Sequence, residues 1–180
     1  MNGKDTALFS KKSDEWETPQ WLFDLLNEEF HFNVDAASRQ YITQKCNRCF
    51  TDALTLEWTK WGERFWLNPP YSQIAVFMKK AYEESQKGAV VVCLIPARTD
   101  TKYWHDYVMK AQEIRFVKGR LKFENKTLPS WNPEGNFKIS PAPFPSVIVI
   151  FKKETPMQFL SHPYGPVIGP TIEQHRRVPV

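Results

Sequence analysis

The feature that most constrains the fold is the tetrapeptide Asn68-Pro69-Pro70-Tyr71, which directly follows the apolar run Arg64-Phe65-Trp66-Leu67. The run predicts a buried strand, and the two prolines must end it because they remove two backbone donors and fix both φ angles. Asn68 and Tyr71 are therefore expected to be held rigidly at the carboxyl end of a strand. In open α/β sheets this is the edge at which ligands bind.

These side chains suit chemistry on a planar NH2 group. The side-chain oxygen of Asn68 and the carbonyl of Pro69 can accept both amino protons, and Tyr71 offers a ring on which an extruded base can stack. An exocyclic amine held in this way is drawn towards the geometry that it needs to attack a methyl group. The alternative is a proline-rich turn between a strand and a helix, with no chemical role.

Two segments upstream complete a candidate site. Thr18 is expected to cap a helix that begins with Pro19, and the apolar positions of that helix are Leu22, Leu25, Leu26 and Phe30. Residues 31–38 then predict a short strand that ends on Asp35 and Ala36. A carboxylate at a strand end can accept from the ribose hydroxyls or the ammonium group of a cofactor. Asp35 could instead be a turn or helix-capping residue.

The remaining pattern predicts a doubly wound α/β sheet. Ser72 is expected to cap a helix that stops at Gly88 and buries Ile74, Phe77, Met78 and Ala81. Residues 89–95 predict a strand buried on both faces, followed by a helix, two short strands around Lys118-Gly119-Arg120, and a closing strand at residues 146–151. Only about 30 residues separate the Asp35 strand from Asn68, so one crossover should be reduced, with residues 46–55 partly irregular.

The order of these motifs resembles the phage-type DNA N6-adenine methyltransferases, the phage Dam family, over about residues 12 to 152. The motifs that carry the resemblance are Asp14-Glu-Trp-Glu-Thr-Pro, Asp35-Ala-Ala-Ser, Asp52-Ala-Leu, Leu67-Asn-Pro-Pro-Tyr-Ser, Leu94-Ile-Pro-Ala-Arg-Thr-Asp, Gly119-Arg-Leu-Lys-Phe and Phe144-Pro-Ser-Val-Ile. The resemblance implies a compact Rossmann-like methyltransferase sheet with helices on both faces. It also implies S-adenosyl-L-methionine as cofactor, methyl transfer to N6 of a flipped adenine in double-stranded DNA, and no metal.

The same resemblance assigns site residues. The catalytic residues that it implies are Asn68, Pro69, Pro70 and Tyr71. The cofactor-binding residues that it implies are Trp16, Thr18, Pro19, Asp35, Ala36, Asp52 and Asn68. The chain departs from the broader methyltransferase pattern because it has seven glycines and no G-x-G after the first strand.

Charge and aromatic content suggest where DNA binds. The candidate contacts are Arg98, Lys118, Arg120, Lys122 and Lys126, of which the last four lead into a long loop, residues 127–145. Phosphate contacts would set the position of the protein, and the loop is long enough to contact bases. The alternatives are a solvated hairpin with a disordered loop and, for Arg98, an ion pair with Asp35 or Asp52.

Composition agrees with one small enzyme. A chain of 180 residues, 42% of them hydrophobic, can bury one core and leaves no room for a separate specificity domain. We expect a flexible N-terminus at residues 1–12, a methyltransferase domain at 13–154 and a proline-rich tail at 155–180. With no long apolar run and no signal peptide, we expect a cytoplasmic protein without membrane contact, in the bacterial host if the gene is viral. The sequence leaves the oligomeric state open.

Three cysteines need an interpretation. Cys46 and Cys49 have the spacing of half a zinc site, but the sequence offers no second ligand pair, so reduced thiols are favoured over a metal. Cys93 lies within the predicted strand at residues 89–95 and is expected to be a buried structural residue.

Two other functions remain open from the sequence. A methyltransferase that acts on RNA or on a protein glutamine would use the same tetrapeptide, since both substrates present an NH2 group. A non-catalytic DNA-binding relic of a methyltransferase would instead shield sites by occupancy. The presence of both Asn68 and Tyr71 argues against such a relic.

Overall fold

The computed structural model describes residues 17–38, 45–50, 52–123 and 140–153, and the expected N-terminus (1–12) and tail (155–180) lie outside these ranges. The helices are α1 (Gln20–Phe30), α2 (Ile74–Gln86) and α3 (Lys102–Asp106). The strands are β1 (Val34–Asp35), β2 (Arg48–Cys49), β3 (Arg64–Leu67), β4 (Val90–Pro96), β5 (Glu113–Phe116), β6 (Lys122–Phe123), β7 (Ser140–Pro141) and β8 (Ser146–Phe151). Single 3-10 turns occur at Trp58–Lys60, Tyr71–Gln73 and Val108–Lys110.

A six-stranded sheet with the order β2-β1-β3-β4-β8-β5 organises the molecule. Strands β1 to β4 pair in parallel, whereas β8 is antiparallel to both β4 and β5, so that β5 runs in the same direction as β4. The predicted strands at residues 64–67 and 89–95 are confirmed. The predicted closing strand is also present, but β8 lies inside the sheet and β5 forms its edge.

Helices cover both faces of this sheet. Helix α1 packs on one face through Leu22, Phe23 and Leu26 against Trp66 and Ile148. Helices α2 and α3 pack on the other face, where the buried residues include Phe77, Met78, Phe65, Val91 and Trp104. Strands β4 and β8 are almost wholly buried because apolar layers lie on both sides of them.

Helix α1 differs from the prediction at its N-terminus. Pro19 is its N-cap rather than its first residue, because its carbonyl already accepts the N–H of Leu22 and Phe23, at 3.1 and 3.2 Å. Thr18 is therefore not the cap and is itself buried. Leu25 is 47% exposed, whereas Phe23 is buried, since the sheet covers the face that Leu22, Phe23 and Leu26 share. Similarly, α2 is capped at Gln73 rather than at Ser72, and its predicted buried stripe is confirmed.

The strands β1 and β2 contain two residues each, so the strand expected over residues 31–38 is shorter than predicted. Backbone bonds extend the pairing of β1 with β3 beyond the strand, from Asn33 N to the Arg64 carbonyl (3.0 Å) and from Ala36 N to the Trp66 carbonyl (2.8 Å). The crossover between β2 and β3 carries only the turn Trp58–Lys60 in its described residues. This agrees with the prediction of a reduced crossover.

The segment Lys118-Gly119-Arg120 is a corner between two sheets. Gly119 has φ +80°, which favours glycine. The flanking strands do not form a hairpin, because β5 pairs with β8 and β6 pairs with β7 in a separate two-stranded sheet. None of the described helices could span a bilayer, since the longest has 13 residues.

Glu84 on α2 is fully buried and connects this helix to the crossover between β2 and β3. Its carboxylate accepts the backbone N–H of Trp58 at 3.1 Å, and the ammonium groups of Lys80 and Lys87 each lie 2.9 Å from its Oε1. Burial by itself raises the pKa of Glu84. The hydrogen bonds and charges of the two lysines outweigh burial and hold the pKa below its usual value.

We expect Glu84→Gln to lower the free energy of unfolding at pH 7 by about 1–3 kcal/mol, because it removes the charge partner of two lysines. A depressed pKa means that this contribution is present above the ordinary glutamate pKa of 4.5 and is lost as the pH falls below it. Urea unfolding at pH 7 and pH 3.5 measures both effects.

The matched control is Glu83→Gln on the same helix, since Glu83 pairs with Lys79 at 3.6 Å across exposed surface. We expect this variant to stay within about 0.5 kcal/mol of the parent. Equal losses in the two variants would contradict the structural role of Glu84.

Candidate active site

The sheet topology brings most of the described candidate residues to one edge. Strands β1 to β5 run in the same direction, and therefore their carboxyl ends share that edge. Asp35 ends β1 and Ala36 follows it, while Asp52 follows β2. Asn68 follows β3, Arg98 follows β4, and Lys118 comes shortly after β5. These candidates thus lie on five different segments that converge on one edge.

This edge contains the point at which the strand order reverses. From β1 the chain moves outward to β2, then crosses to the other side of β1 to form β3, and continues to β4. The crevice between the carboxyl ends of β1 and β3 is therefore the topological switch point, where open α/β sheets bind ligands. Asp35 and Asn68 stand on its two sides.

The tetrapeptide is held by the end of a buried strand and the turn that precedes α2. Leu67 is fully buried, Pro69 is buried, and Asn68 is partly buried with its side-chain Oδ1 out of contact with solvent. The carbonyl of Pro70, not that of Pro69, accepts the N–H of Gln73 at 2.9 Å to close the turn Tyr71–Gln73. The two prolines thus fix the backbone between Asn68 and Tyr71.

Tyr71 is partly buried and is oriented by its surroundings. Its hydroxyl is buried, while its ring meets Phe144 edge to face, with centroids 5.2 Å apart and an interplanar angle of 74°. Burial, and to a smaller extent Tyr103, raises the pKa of Tyr71 well above that of an ordinary phenol. The hydroxyl is therefore enclosed by protein, whereas the side chain as a whole remains partly accessible at the edge.

Asp35 is buried and holds the backbone around the switch point. Its Oδ1 accepts the N–H of Ala37 at 3.2 Å, and its Oδ2 accepts the N–H of Lys45 at 3.0 Å. Desolvation raises the pKa of Asp35 to about 6, although the two backbone hydrogen bonds and the charge of Lys45 act in the opposite direction. The turn-forming role considered as an alternative is thus present, and the same carboxylate stands at the ligand edge.

Lys45 links Asp35 to the start of α1. The Lys45 ammonium donates to Gln20 Oε1 at 2.9 Å while its backbone N–H bonds Asp35. Thr18 and Pro19 immediately precede Gln20 and are buried. This places two predicted cofactor residues beside the loop that Asp35 organises, whereas Trp16 lies outside the described residues.

A cavity of about 230 Å³ lies at the switch point. Ala36, Asp52 and Pro70 are all among the residues that line it, so it joins three of the predicted positions. Its other lining residues are Ala37, Ser38, Phe50, Ala53, Leu54, Gln73 and Phe77. Asp52 is exposed at the rim, where its carboxylate accepts the Thr55 hydroxyl at 2.9 Å. The cavity therefore combines small residues, apolar rings and an acid.

The basic candidates differ in their exposure. Lys118, Arg120 and Lys122 are exposed, and Arg98 is partly exposed at the end of β4, where its carbonyl accepts the Thr101 hydroxyl at 2.7 Å. Lys126 and residues 127–139 of the expected base-contacting loop lie outside the described ranges. The strands on either side of residues 124–139, β6 and β7, pair with each other, and Phe123 and Ala142 are buried.

The cysteines are free thiols. Burial, with smaller contributions from Asp35 and Cys49, raises the pKa of Cys46 to about 12. Cys93 is fully buried in β4, as predicted. Within the described ranges no three His, Cys, Asp or Glu side chains are grouped so that they could hold a metal ion.

Sequence reasoning gave no role to three residues near the tetrapeptide. Gln73 lines the cavity, Phe144 contacts the Tyr71 ring, and the buried Tyr103 contributes to the raised pKa of Tyr71. Phe144 belongs to one of the motifs that carry the resemblance, and the antiparallel direction of β8 explains why it reaches this edge. No local signal in the sequence marks Tyr103.

The chain is similar to known proteins along most of its length. A family model described as DNA N-6-adenine-methyltransferase (Dam) matches residues 5–164. The chain is 28% identical over 162 residues to a DNA N-6-adenine-methyltransferase of Haemophilus phage HP1 (strain HP1c1), covering 86% of this chain and 89% of that protein. It is 30% identical over 112 residues to a DNA N-6-adenine-methyltransferase of Escherichia phage T1, covering 60% of this chain and 46% of that protein.

The raised pKa of Asp35 predicts how the stability of the protein without ligand changes with pH. Because the folded-state pKa of about 6 exceeds the unfolded value of 3.8, the contribution of Asp35 to stability is fully present below pH 3.8 and is lost as the pH rises through 6. The difference between these two pKa values corresponds to about 3 kcal/mol in the free energy of unfolding. Urea unfolding between pH 3.5 and 7 should show this loss.

The Asp35→Asn variant isolates the effect from other titrating groups. The stability of the parent relative to the variant should fall as the pH rises between about 4 and 6 and should be constant above about pH 7. A difference that does not change with pH over this interval would show that Asp35 is not a desolvated carboxyl group.

Proposed function

Since this chain belongs to the DNA N-6-adenine-methyltransferase (Dam) family, we propose that it transfers a methyl group from S-adenosylmethionine to N6 of an adenine flipped out of double-stranded DNA. The observation that carries the proposal is the placement of Asn68-Pro69-Pro70-Tyr71 beside a cavity at the topological switch point. Family membership favours this DNA enzyme over the RNA, protein-glutamine and non-catalytic alternatives.

The cavity residues suit this cofactor chemically. S-adenosylmethionine has cationic, ribose and aromatic parts, and when bound it supplies an electrophilic methyl group. Asp52 at the rim supplies negative charge and acceptors for the first two parts, while Phe50 and Phe77 offer apolar surface to the third. Asp35 does not line the cavity, and its buried carboxylate at the end of β1 adds negative charge to the same edge of the sheet. Ala36 and Ala37 allow a ligand to approach the backbone. Thr18 and Pro19, linked through Gln20 and Lys45, would support this wall of the site.

The fold proposed for this function is a trimmed Rossmann-like sheet. The strand order reverses between β1 and β3, as in doubly wound sheets, and helices pack on both faces. The crossover between β2 and β3 is reduced, so the sheet is smaller on the side of β2. In such a trimmed sheet, Asp35 and Ala36 would take the place of a glycine-rich loop.

The residues of the tetrapeptide have separate roles in the proposed reaction. Tyr71 receives the flipped adenine on its ring, because its hydroxyl is directed inward and its ring lies at the edge. Asn68 and the Pro69 carbonyl accept the two N6 protons and fix the amine relative to the methyl donor. Pro69 and Pro70 hold the backbone so that little reorganisation is needed. Positioning of this kind can supply roughly 7–11 kcal/mol in favourable cases.

The basic residues of the carboxyl edge would hold the DNA duplex. Lys118, Arg120 and Lys122 are exposed beside the β6–β7 pairing, and Arg98 lies between them and the tetrapeptide in strand order. Their contacts to phosphate would fix the register of the duplex, whereas the segment between β6 and β7 would contact bases. Lys126 lies outside the described residues and stays a predicted DNA contact.

We expect Asn68→Ala to reduce methyl transfer to DNA by roughly 100-fold or more while leaving cofactor affinity within about threefold, because the main loss is the grip on N6 and the other predicted cofactor-binding residues are unchanged. The measurement combines transfer of label from S-adenosylmethionine, nucleoside analysis by mass spectrometry, and calorimetric cofactor binding.

Asn47→Ala is the matched control, since Asn47 is an exposed asparagine that does not line the switch-point cavity. It should transfer methyl groups at the parental rate. Unchanged turnover in Asn68→Ala would refute the proposed role of the tetrapeptide, and label found in RNA or protein instead of DNA would refute the substrate.

Substitution of Arg120 and Lys122 by alanine should weaken DNA binding, because the duplex would release fewer counterions when the protein binds. The slope of log K against log salt should fall in magnitude by about 1 for each phosphate that is no longer neutralised. The control is Lys152→Ala with Lys153→Ala, because these exposed lysines follow the carboxyl end of β8 at the opposite edge of the sheet. Equal changes in slope for the two double variants would contradict a DNA surface at the carboxyl edge.

A further inference from the structure

A second cavity, of about 690 Å³, lies at the opposite edge of the sheet from the tetrapeptide. Asn33 precedes β1, Arg48 begins β2 and Glu63 precedes β3, and all three line this cavity. Phe23 and Asn27 of α1 also line it, so it lies on the face of the sheet that α1 covers. None of its described lining residues belongs to the switch-point cavity. Its volume is in the range of sites that hold small ligands.

Two asparagine side chains are held on the wall of this cavity by backbone hydrogen bonds. Asn27 Oδ1 accepts the N–H of Phe32 at 2.8 Å. Asn33 Oδ1 accepts the N–H of Glu63 at 3.2 Å and that of Arg64 at 2.8 Å. Because a backbone N–H can only donate, these bonds identify the oxygen of each amide. What each asparagine can offer to a ligand is therefore its Nδ2 donor group.

Two cationic side chains add positive charge to the same cavity. Arg48 is exposed, and its Nη1 donates to the Trp61 carbonyl at 2.9 Å, a bond that uses one of its five N–H donors. Lys45 also lines the cavity, and its ammonium donates to Gln20 Oε1 at 2.9 Å. Glu63 is the one acid among the described lining residues. Amide donors and an excess of positive charge suit an anion, and the planar fork of a guanidinium suits phosphate.

Trp61 supplies aromatic surface beside these donors. It is 48% exposed, and its ring meets Phe50 edge to face, with centroids 6.1 Å apart and an interplanar angle of 79°. Gly62 brings the chain next to Trp61 against Asn33, since a Cβ at Gly62 would lie 3.0 Å from Asn33 Oδ1. The Trp61 carbonyl in turn holds the Arg48 guanidinium. Direct contacts thus join the aromatic ring, the amide and the guanidinium into one wall.

We propose that this cavity is a second binding site, which holds a nucleotide with its base against Trp61 and its phosphate between the Arg48 guanidinium and the two asparagine amides. An aromatic ring accepts the π-face of any base, and the amide and guanidinium donors complement phosphate oxygens. The nucleotide is free in solution or part of a DNA strand, since both present a base and a phosphate. The proposal does not depend on methyl transfer, because these residues lie away from the carboxyl edge.

The test measures calorimetric binding of AMP, ribose 5-phosphate and adenosine to the full chain, with and without saturating S-adenosylmethionine. We expect AMP to bind with a dissociation constant below about 1 mM. It should bind at least about 10-fold more tightly than either fragment, because each fragment lacks one of the two contacts. Absence of AMP binding, equal affinity for AMP and adenosine, or loss of AMP binding when S-adenosylmethionine is added would overturn the proposal.

Three variants separate the phosphate contacts from the base contact. Asn33→Asp keeps an oxygen for the two backbone N–H groups but replaces the Nδ2 donor by a carboxylate oxygen, so the affinity for AMP should fall roughly 10-fold or more. Arg48→Gln, at an exposed position, should weaken AMP and ribose 5-phosphate alike. Trp61→Leu should instead reduce the affinity for AMP to that for ribose 5-phosphate, because only the base contact is lost.

Gln86→Glu is the matched control, because it makes the same change from amide to carboxylate at an exposed position of α2, on the other face of the sheet. It should bind AMP with parental affinity. Parental affinity in Arg48→Gln, or an equal loss in Gln86→Glu, would overturn the proposed site. Displacement of AMP by a short single-stranded oligonucleotide would support a DNA strand as the occupant, and binding of AMP without such displacement would support a free nucleotide.

Discussion

The pairing of β1 with β3 is the constraint on which the rest of the structure depends. Strand β1 has only two residues, yet it pairs in parallel with β2 on one side and with β3 on the other. Asn33 strengthens this junction because its Oδ1 accepts the N–H of Glu63 and of Arg64, at 3.2 and 2.8 Å. If this short strand were displaced, the sheet would lose its reversal of strand order, and the crevice between Asp35 and Asn68 would not exist.

The energetic support for that junction comes largely from elsewhere. Strands β4 and β8 form the buried centre of the sheet, and the full burial of their apolar side chains supplies most of the driving force for folding. Arg115 on the edge strand β5 forms a bidentate ion pair with Glu29 on α1, with N–O distances of 2.5 and 2.6 Å. The candidate site can therefore use short strands and polar side chains, because stability is concentrated in the neighbouring strands.

Helices and strands were predicted correctly where the apolar pattern of the segment matches the residues that the fold buries. The run at residues 64–67, the helix at 74–86 and the strands at 90–96 and 146–151 each bury a regular set of apolar residues, and all are present. Two-residue strands such as β2 are too short to carry a period, so their existence depends on tertiary pairing. Leu25 shares the helical spacing of the apolar residues of α1 but stays exposed, because that spacing does not tell how wide a face the sheet covers. The position of β8 inside the sheet is a long-range property with no local signal.

The sequence was enough to identify the candidate site residues, but not their burial, their pKa values or their hydrogen-bond partners. Asp35 could be identified as an acid at a strand end, but only the fold shows that it is buried, with a pKa raised to about 6 and backbone partners at Ala37 and Lys45. Asp35 is therefore mostly ionised at neutral pH, and this ionisation lowers the stability of the free protein because the charge is desolvated. A ligand that brings positive charge to this edge would lower the pKa of Asp35 again and recover the free energy that its burial costs. Binding of a cationic cofactor would then be coupled to the stability of the short β1 junction, because both depend on the charge of the Asp35 carboxylate.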